Sequence, residues 1–423
     1  MGESITPTKK VLGNVRVPGE QVPAERALLL AAIAAGESRV RYAPPSSLRV
    51  VQLLRTLGVE VASERDTWIV KGKGLRGLSP VEEIVDLRGW GASGLLVLAM
   101  LAGHSFITRV KLGQETDWAE PLLSLLAAMG MGGQRETEAV YSLGKANPVG
   151  VTHDALDIEA DEKLAILVAG LYCEGVTQMR ESSKNRNRME RFLRQRDVSV
   201  ERRRSGDEYA VSVQGGQSVQ PQEVEVAGDL NLAYPFILPA LALKGSQLTI
   251  ERVAVRSGRR YFLDLLRQIG GEFELQDLGE DTYDLHVHPS ELKSTRVAAQ
   301  RAENILVQVP LLAVLATRVQ GEIVIRDVHA LRDGAFDRVQ HLFESLRSLQ
   351  VRIGEFPEGL VIKGGFPVMG GVLDARGDAH LAQAFALLGL WAEDEIVIDN
   401  AEGVRELHPD FFSALAALKE KKR

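Results

Sequence analysis

The chain of 423 residues has a single cysteine, Cys173, so it can form no disulfide within itself. A lone thiol fits a reducing compartment, and we expect a cytoplasmic location. The first ten residues, MGESITPTKK, contain no apolar stretch, so we also expect no secretory signal. The class of disulfide-stabilised secreted scaffolds is therefore excluded.

Metal-binding patterns and excess positive charge are missing as well. No CxxC, HExxH or EF-hand spacing occurs and the eight histidines are scattered, so we predict no metal and no cofactor. The formal net charge of −7 gives no reason to expect nucleic acid or an anionic membrane as a partner. The apolar runs are too short and too often broken to span a bilayer.

What the sequence does contain is a repeat of about seventy residues. Six segments share the pattern of an apolar helix that runs into a Gly or acidic turn and then a β-type run. They are Arg26–Glu37, Ser93–Ser105, Asp161–Gly175, Asn231–Ser246, Val307–Glu322 and Asp378–Glu395. Because these helices are apolar on all sides, we expect each of them to be covered on all sides.

The same elements follow each of these helices. A β-type run such as Gln247–Val253 comes first, then an amphipathic helix that ends near a Leu-Gly or Met-Gly pair, then a hairpin such as Gly359–Gly364. The sixth repeat is short and has no closing hairpin. We therefore expect the N-terminal strand, within Lys9–Gly19, to pair with the second half of the chain.

The order of the repeats predicts two globular domains with three repeats each. We place them at residues 20–227, and at residues 1–19 together with 228–423, with two chain crossings as a hinge. Clefts between such halves commonly bind ligands. Helix starts carry unpaired N–H groups and positive potential, which suit anions. We therefore expect the chemistry at the six helix starts, facing an interdomain cleft.

Six motifs within this frame carry a resemblance to a known family. They are VPGEQVPAERALLLAAIAAGES at Val17–Ser38, LRGWGASGLL at Leu87–Leu96, SSKNRNRMERFL at Ser182–Leu193, LRDGAFDRV at Leu331–Val339, RGDAHLAQAFALLGL at Arg376–Leu390 and VRELHPDFFSAL at Val404–Leu415. Together they resemble the enolpyruvyl transferase family, and above all its EPSP synthase (3-phosphoshikimate 1-carboxyvinyltransferase) branch, over nearly the whole chain.

The resemblance implies a fold and a reaction. The fold class is α/β (α+β): a two-domain inside-out α/β barrel built from six βαβαββ-type repeats, three in each domain. The reaction moves the enolpyruvyl group of phosphoenolpyruvate (PEP) to a hydroxyl, by protonation and addition followed by loss of phosphate, in aromatic amino acid (chorismate) biosynthesis. It needs cations for the anionic substrates, a general acid and a general base.

Several family positions carry other residues in this chain. Positions that the family uses for catalysis are occupied by Gln21, Val307, Ala335, Ala379 and Glu406. A charge about 4 Å from a ligand charge contributes ~1–4 kcal/mol at dielectric constants of 80 to 20. Losing or inverting several such charges removes more than ~5 kcal/mol, or over three orders of magnitude in affinity. We therefore expect the usual PEP site to be missing.

Other residues remain candidates for a site. The ligand-binding candidates are Arg26, Ser93, Asn185, Arg186, Asp337, Arg338 and His380. Acidic residues that would suit an altered chemistry are Glu120, Asp161 and Glu162. Structural alternatives stay open for both groups, because arginines can bridge elements and acids in a first helical turn complement the helix dipole.

Three hypotheses about function follow, taken in order of preference. The first is a catalytically degenerate paralogue, a pseudoenzyme that binds a small molecule in the cleft or a protein partner in a regulatory or scaffold role. The second is an enzyme with altered chemistry in the same cleft. The third is a 3-phosphoshikimate 1-carboxyvinyltransferase with unusual substitutions.

Overall fold

The computed structural model describes residues 2–113, 117–144, 147–154, 158–183, 189–256 and 258–420. By internal contacts the chain divides into two compact units. Unit 1 consists of Met1–Glu20, Pro44–Ser46 and Ala227–Arg423, and unit 2 consists of Gln21–Ala43 and Ser47–Val226. The fold is mixed α/β, which confirms the fold class that the resemblance implied.

The elements of the first half follow in chain order. Unit 1 begins with strands β1 (Glu3–Ile5) and β2 (Leu12–Val15). The helices of unit 2 are α1 (Gln21–Ala32), α2 (Leu48–Thr56), α3 (Gly91–Ala102), α4 (Glu120–Ala128), α5 (Ala160–Leu171) and α6 (Glu190–Arg194). Its strands are β3 (Glu37–Arg41), β4 (Glu60–Glu64), β5 (Thr67–Lys71), β6 (Val85–Asp86), β7 (Ile107–Lys111), β8 (Gly132–Arg135), β9 (Val140–Gly144), β10 (Thr152–Asp154), β11 (Val176–Ser182), β12 (Val200–Ser205), β13 (Glu208–Gln214) and β14 (Glu223–Glu225).

The rest of unit 1 repeats this layout. Its helices are α7 (Leu230–Ala242), α8 (Tyr261–Gln268), α9 (Gln300–Glu303), α10 (Val309–Ala316), α11 (Arg338–Ser348), α12 (Ala379–Gly389), α13 (Val404–Leu407) and α14 (Phe411–Ala417). Its strands are β15 (Gln247–Ala254), β16 (Glu272–Asp277), β17 (Thr282–His288), β18 (Lys293–Val297), β19 (Gln320–Ile325), β20 (Arg352–Phe356), β21 (Gly359–Lys363), β22 (Gly371–Asp374) and β23 (Ile396–Asp399).

Within the described ranges each unit contains three small sheets, and five of the six sheets share one strand order. In unit 2 the orders are β14-β3-β5-β4, β6-β7-β9-β8 and β10-β11-β13-β12. The first two strands of each order are parallel, and the last two form an antiparallel hairpin. Unit 1 contains β2-β15-β17-β16 and β18-β19-β21-β20, and its third sheet is the shorter β1-β23-β22. The period of about seventy residues thus corresponds to one sheet with its helices.

The N-terminal residues complete two sheets of unit 1. Strand β2 runs parallel to β15, with Leu12 opposite Gln247, and β1 runs antiparallel to β23, with Ile5 opposite Ile396. The prediction that the N-terminal strand pairs with the second half is therefore confirmed. In the sixth repeat, β1 takes the place of the missing hairpin.

The six apolar helices form the two cores. Every residue of α10 is buried, and so is every residue of α3 from Ser93 to Ala102. Helices α1, α3 and α5 pack on one another in unit 2, and α7, α10 and α12 do so in unit 1. Their burial confirms the prediction, because a helix with no polar side can only be covered on all sides. Among the described residues, none of the helices combines the length and the apolar character that a membrane crossing requires.

Two helix starts differ from the sequence prediction. Helix α1 begins at Gln21 rather than at Arg26, because we delimited the segment by its apolar residues and the first turn is polar. Helix α10 begins at Val309, after a 3₁₀ turn over Leu306–Gln308. Pro310 explains the second shift, since proline has no N–H and fits in the first turn of an α-helix.

We predict that His408 makes the stability of the protein depend on pH. Its ring lies against Phe236 and Phe411, and the ring centroids are 5.7 and 6.1 Å away. Burial lowers the pKa of His408 to about 4, although the charge of Asp410 acts in the opposite direction. Between about pH 6.5 and 4 only the unfolded chain takes up this proton, so stability falls as the pH falls.

Denaturant unfolding at pH 7 and pH 5 checks this expectation. The wild type should lose about 2 kcal/mol of unfolding free energy to this one group between the two pH values. The His408→Leu variant should show a pH dependence smaller by that amount, whatever its stability at pH 7. An equal pH dependence in both proteins would contradict the prediction.

Candidate functional site

In unit 2 the starts of three helices are joined by one carboxylate, that of Glu25 on α1. Its side chain is fully buried, and Arg49 of α2 donates Nε to Oε1 at 2.8 Å and Nη2 to Oε2 at 3.0 Å. Ser93 at the start of α3 donates its hydroxyl to Oε2, and Gln21 donates Nε2 to Oε1 at 3.0 Å. Two predicted site positions, Gln21 and Ser93, therefore hold a structural carboxylate. Sequence reasoning missed the role of Arg49.

A second ion pair joins α1 to α5. Arg26, with 11% of its side chain exposed, pairs with Asp161, whose side chain is 29% exposed. The guanidinium of Arg26 also lies over the ring of Phe192, 4.7 Å from its centroid. The structure thus brings together a residue that we predicted to bind ligand and one that we predicted to serve an altered chemistry.

The two other acidic candidates of unit 2 are Glu162 and Glu120. Burial raises the pKa of Glu162 in the first turn of α5, while the charge of nearby His153 opposes the rise. Glu120, at the start of α4, accepts a hydrogen bond from the hydroxyl of Tyr141 at 2.8 Å. A raised pKa favours a carboxyl in proton transfer, since the group then keeps its proton closer to neutral pH.

A buried network of four charges lies next to the start of α5, and sequence reasoning missed it. Lys163, with no exposed side-chain surface, places Nζ 3.0 Å from Glu181 and 2.8 Å from Glu190. Arg202 contacts the same two carboxylates at 3.0 and 3.7 Å. Burial by itself would raise the pKa of Glu190. The positive charges of Lys163 and Arg202 have the larger effect, so the pKa of Glu190 is lowered. A lysine inside an otherwise apolar helix was the signal that could have revealed this network.

In unit 1 the start of α12 combines a helix cap and an ion pair. Asp378 accepts hydrogen bonds from the backbone N–H groups of His380 and Leu381 through Oδ1. Its Oδ2 accepts from Nε of Arg338 at 2.6 Å. The two terminal nitrogens of Arg338 make no hydrogen bond to the described part of the chain, and its side chain is 44% exposed. Arg338 is therefore held in place with donors left for an anion.

The imidazole of His380 lies in the first turn of the same helix. Burial lowers the pKa of His380, the charge of Asp378 opposes this, and the charge of Arg338 reinforces it. A neutral imidazole at this place can donate or accept a proton, and it adds no fixed charge.

Asp337, another predicted ligand-binding residue, caps α11. It accepts a hydrogen bond from the backbone N–H of Gln340 at 2.9 Å and pairs with Arg332 at 2.7 Å.

The other helix starts of unit 1 are polar as well. Asn231 on α7 accepts a hydrogen bond from Nε2 of Gln308, just before α10, at 2.8 Å. Burial raises the pKa of Asp229, the cap of α7, while its hydrogen bond from Asn231 and the charges of Arg259 and Arg256 oppose the rise. The guanidinium of Arg256 lies 2.7 Å from the carboxylate of Glu20. Sequence reasoning missed both arginines because it examined helix starts and not the loop before α8.

Several predicted positions contribute no polar contact to these clusters. Val307 is 47% exposed, Ala335 lies in an exposed loop, Ala379 begins α12, and Glu406 is exposed on α13. Asn185 and Arg186 lie outside the described residues. Within the described ranges there is no group of three or more His, Cys, Asp or Glu side chains that could hold a metal ion.

A comparison with known protein families identifies the family of this chain. The family model described as EPSP synthase (3-phosphoshikimate 1-carboxyvinyltransferase) matches residues 5–415. The chain belongs to the EPSP synthase family. The resemblance inferred from the six motifs is therefore confirmed.

Relatives of similar length carry the same enzyme name. A 3-phosphoshikimate 1-carboxyvinyltransferase of Sulfurihydrogenibium sp. is 30% identical over 427 residues, which cover 98% of this chain and 99% of the relative. The protein of that name from Pelobacter propionicus is 32% identical over 97% of both chains. Members of the EPSP synthase family thus match this chain along nearly its whole length.

Solved structures share the fold. EPSP synthase from Acinetobacter baumannii matches with a TM-score of 0.76 and 23% identity over 99% of both chains. The enolpyruvyl transferase NikO from Streptomyces tendae matches with a TM-score of 0.66 and 19% identity, covering 98% of this chain and 96% of its own. At these identities the likeness shows the fold alone.

The relatives contradict our first hypothesis, that of a degenerate binding or scaffold paralogue. We expected such a paralogue because Gln21, Val307 and Glu406 stand where the family has charged groups. The relatives that are about 30% identical over their full length are, however, named as the transferase. The physical reason for the error is that the count of single positions weighed the lost charges and gave too little weight to the cations that remain. Arg26 and Arg338 are two such cations at helix starts. The pseudoenzyme interpretation is therefore wrong.

We predict that the pair of Glu25 and Arg49 is a structural link with measurable coupling. The variant Arg49→Met should lower the free energy of unfolding by about 2–3 kcal/mol, because it leaves a buried carboxylate short of its cation. The double variant Glu25→Gln/Arg49→Met should cost less than the sum of the two single changes, since neither charge is then left alone.

Denaturant unfolding of the four proteins in this cycle gives the coupling. Lys71→Met, which removes an exposed partner of Glu60, is the matched control and should leave the unfolding free energy nearly unchanged. Strict additivity of the two single changes at Glu25 and Arg49 would contradict the prediction.

Proposed function

We propose that this protein is a 3-phosphoshikimate 1-carboxyvinyltransferase. It moves the carboxyvinyl group of PEP to a hydroxyl of 3-phosphoshikimate, and inorganic phosphate is released. The observation that carries this proposal is the match to the EPSP synthase family over residues 5–415, together with relatives of that name that cover 97% or more of the chain.

The charges at the helix starts support binding of two anionic substrates. In unit 1, Arg338 has free donors beside the positive end of α12, where an anion is stabilised by the charge and by the helix dipole together. In unit 2, Arg26 is buried beside the start of α5. Each unit thus supplies a guanidinium at a helix N-terminus, the kind of group that binds phosphate and carboxylate.

The reaction also needs a group that moves a proton, and we assign this role to Glu162. The methylene carbon of PEP takes up a proton while the acceptor hydroxyl loses one and its oxygen bonds to the neighbouring carbon. Elimination then breaks the bond from that carbon to phosphate, and the new methyl group gives up a proton, which leaves a vinyl ether. Burial raises the pKa of Glu162, so this carboxyl keeps its proton closer to neutral pH than an exposed one does.

Steady-state measurement of phosphate release tests the proposed function. We expect release only when PEP and 3-phosphoshikimate are both present, and a carboxyvinyl product by mass spectrometry. The variant Arg338→Met should lower kcat/KM by about 10- to 100-fold, the effect of losing one charged hydrogen bond of about 1.5–3 kcal/mol. Arg405→Met, which changes an exposed arginine of unit 1 paired with Glu3, is the control and should leave kcat/KM unchanged.

The absence of phosphate release from the wild type, while both substrates bind in calorimetry, would refute the proposed function. Equal activity in the Arg338→Met and Arg405→Met variants would refute the role of Arg338 in substrate binding.

The role of Glu162 has a test of its own. The variant Glu162→Gln keeps the shape of the side chain and cannot release a proton, so kcat should fall by about 10²- to 10⁴-fold. The limb of the wild-type pH profile that belongs to this carboxyl should disappear with it. A profile of unchanged shape, measured over pH 5–9, would assign proton transfer to another residue.

A further inference from the structure

We propose that Asp161 occupies the anion position beside Arg26 and competes with the substrate for it. The inference rests on the proposed function, since it concerns the affinity of the same chain for a phosphorylated substrate. Because its carboxylate must leave Arg26 before an anion can bind there, Asp161 lowers the affinity of unit 2 for phosphate and carboxylate groups.

The surroundings of Arg26 show why a competitor is needed in the free protein. The guanidinium is 89% covered, and the ring of Phe192 lies 4.7 Å from it on one side. A buried guanidinium without an anion is costly, because burial removes the water that would otherwise solvate the charge. The carboxylate of Asp161 neutralises this charge within unit 2 itself.

The position of Asp161 on its helix strengthens the competition. The residue lies in the first turn of α5, where backbone N–H groups and the helix dipole attract negative charge. An incoming phosphate would be attracted by the same dipole and by the same guanidinium. The carboxylate of Asp161 therefore takes the place of an anionic ligand both at the guanidinium of Arg26 and at the start of α5.

A comparison with Asp378 of unit 1 shows that Asp161 is free to move aside. Asp378 caps α12 through two backbone N–H groups while it holds Arg338, so its displacement would uncap the helix. Asp161 does not cap α5, because the N-cap position of that helix belongs to Glu159. The hydrogen-bond partner of Asp161 among the described residues is Arg26. With 29% of its side chain exposed, Asp161 can turn towards solvent when an anion arrives.

Isothermal titration calorimetry with 3-phosphoshikimate, and separately with inorganic phosphate, tests the inference on the full-length protein. The variant Asp161→Asn keeps the shape and removes the charge, so it should bind both probes about tenfold or more tightly than the wild type does. Glu60→Gln, which removes an exposed carboxylate of the same unit, is the control and should bind as the wild type does. Circular dichroism and the Tm of each variant show that it is folded.

A second variant shows whether the gain depends on Arg26. In Asp161→Asn/Arg26→Met the tighter binding should be lost, because the cation that the carboxylate had covered is gone. Unchanged or weaker binding by Asp161→Asn would overturn the inference. Tighter binding that survives in the double variant would overturn it too, since the effect would then not pass through Arg26.

Phosphate release measured on the same proteins separates this inference from the proposed function. Turnover by the wild type with no gain in affinity in Asp161→Asn would refute the inference and leave the function standing. Tighter binding in Asp161→Asn without turnover in any of the proteins would support the competition and refute the transferase activity.

Discussion

Six helices that are apolar on every side have to be enclosed by the rest of the chain, and this need shapes both units. The helices pack on one another in threes, and the small sheets cover them from outside. Such an arrangement leaves only the ends of the helices for polar groups. The starts carry unpaired N–H groups and a positive potential, and several ion pairs lie there.

Arginines near these helix starts meet carboxylates from the same unit. Glu25 is enclosed and fully bonded, which makes it a structural link between helix starts. Arg26 and Arg338 are different, because part of each ion pair is open to solvent. In the first pair this is mainly the carboxylate of Asp161, and in the second it is the side chain of Arg338. A substrate anion would gain most at these two arginines, because their charge is already held in place.

Much of the fold could be predicted from the chain. The period of about seventy residues located all six apolar helices, and the short sixth repeat correctly indicated that N-terminal residues complete a sheet of unit 1. The candidate site was predicted less well. Matching single positions to family motifs suggested a lost activity. It also missed Arg49 and Arg256, which pair with Glu25 and Glu20 from neighbouring elements.

The sequence by itself determined which segments had to be buried and in what order they recur, because hydrophobic patterning acts locally along the chain. It also determined the family, since the motifs are read residue by residue. Only the tertiary structure decided which charges meet. Arg26 and Asp161 are separated by 135 positions, and Lys163 reaches Glu181 and Glu190 inside the protein. Ion pairs of this kind depend on how helices and strands pack side by side, and no local pattern records that packing.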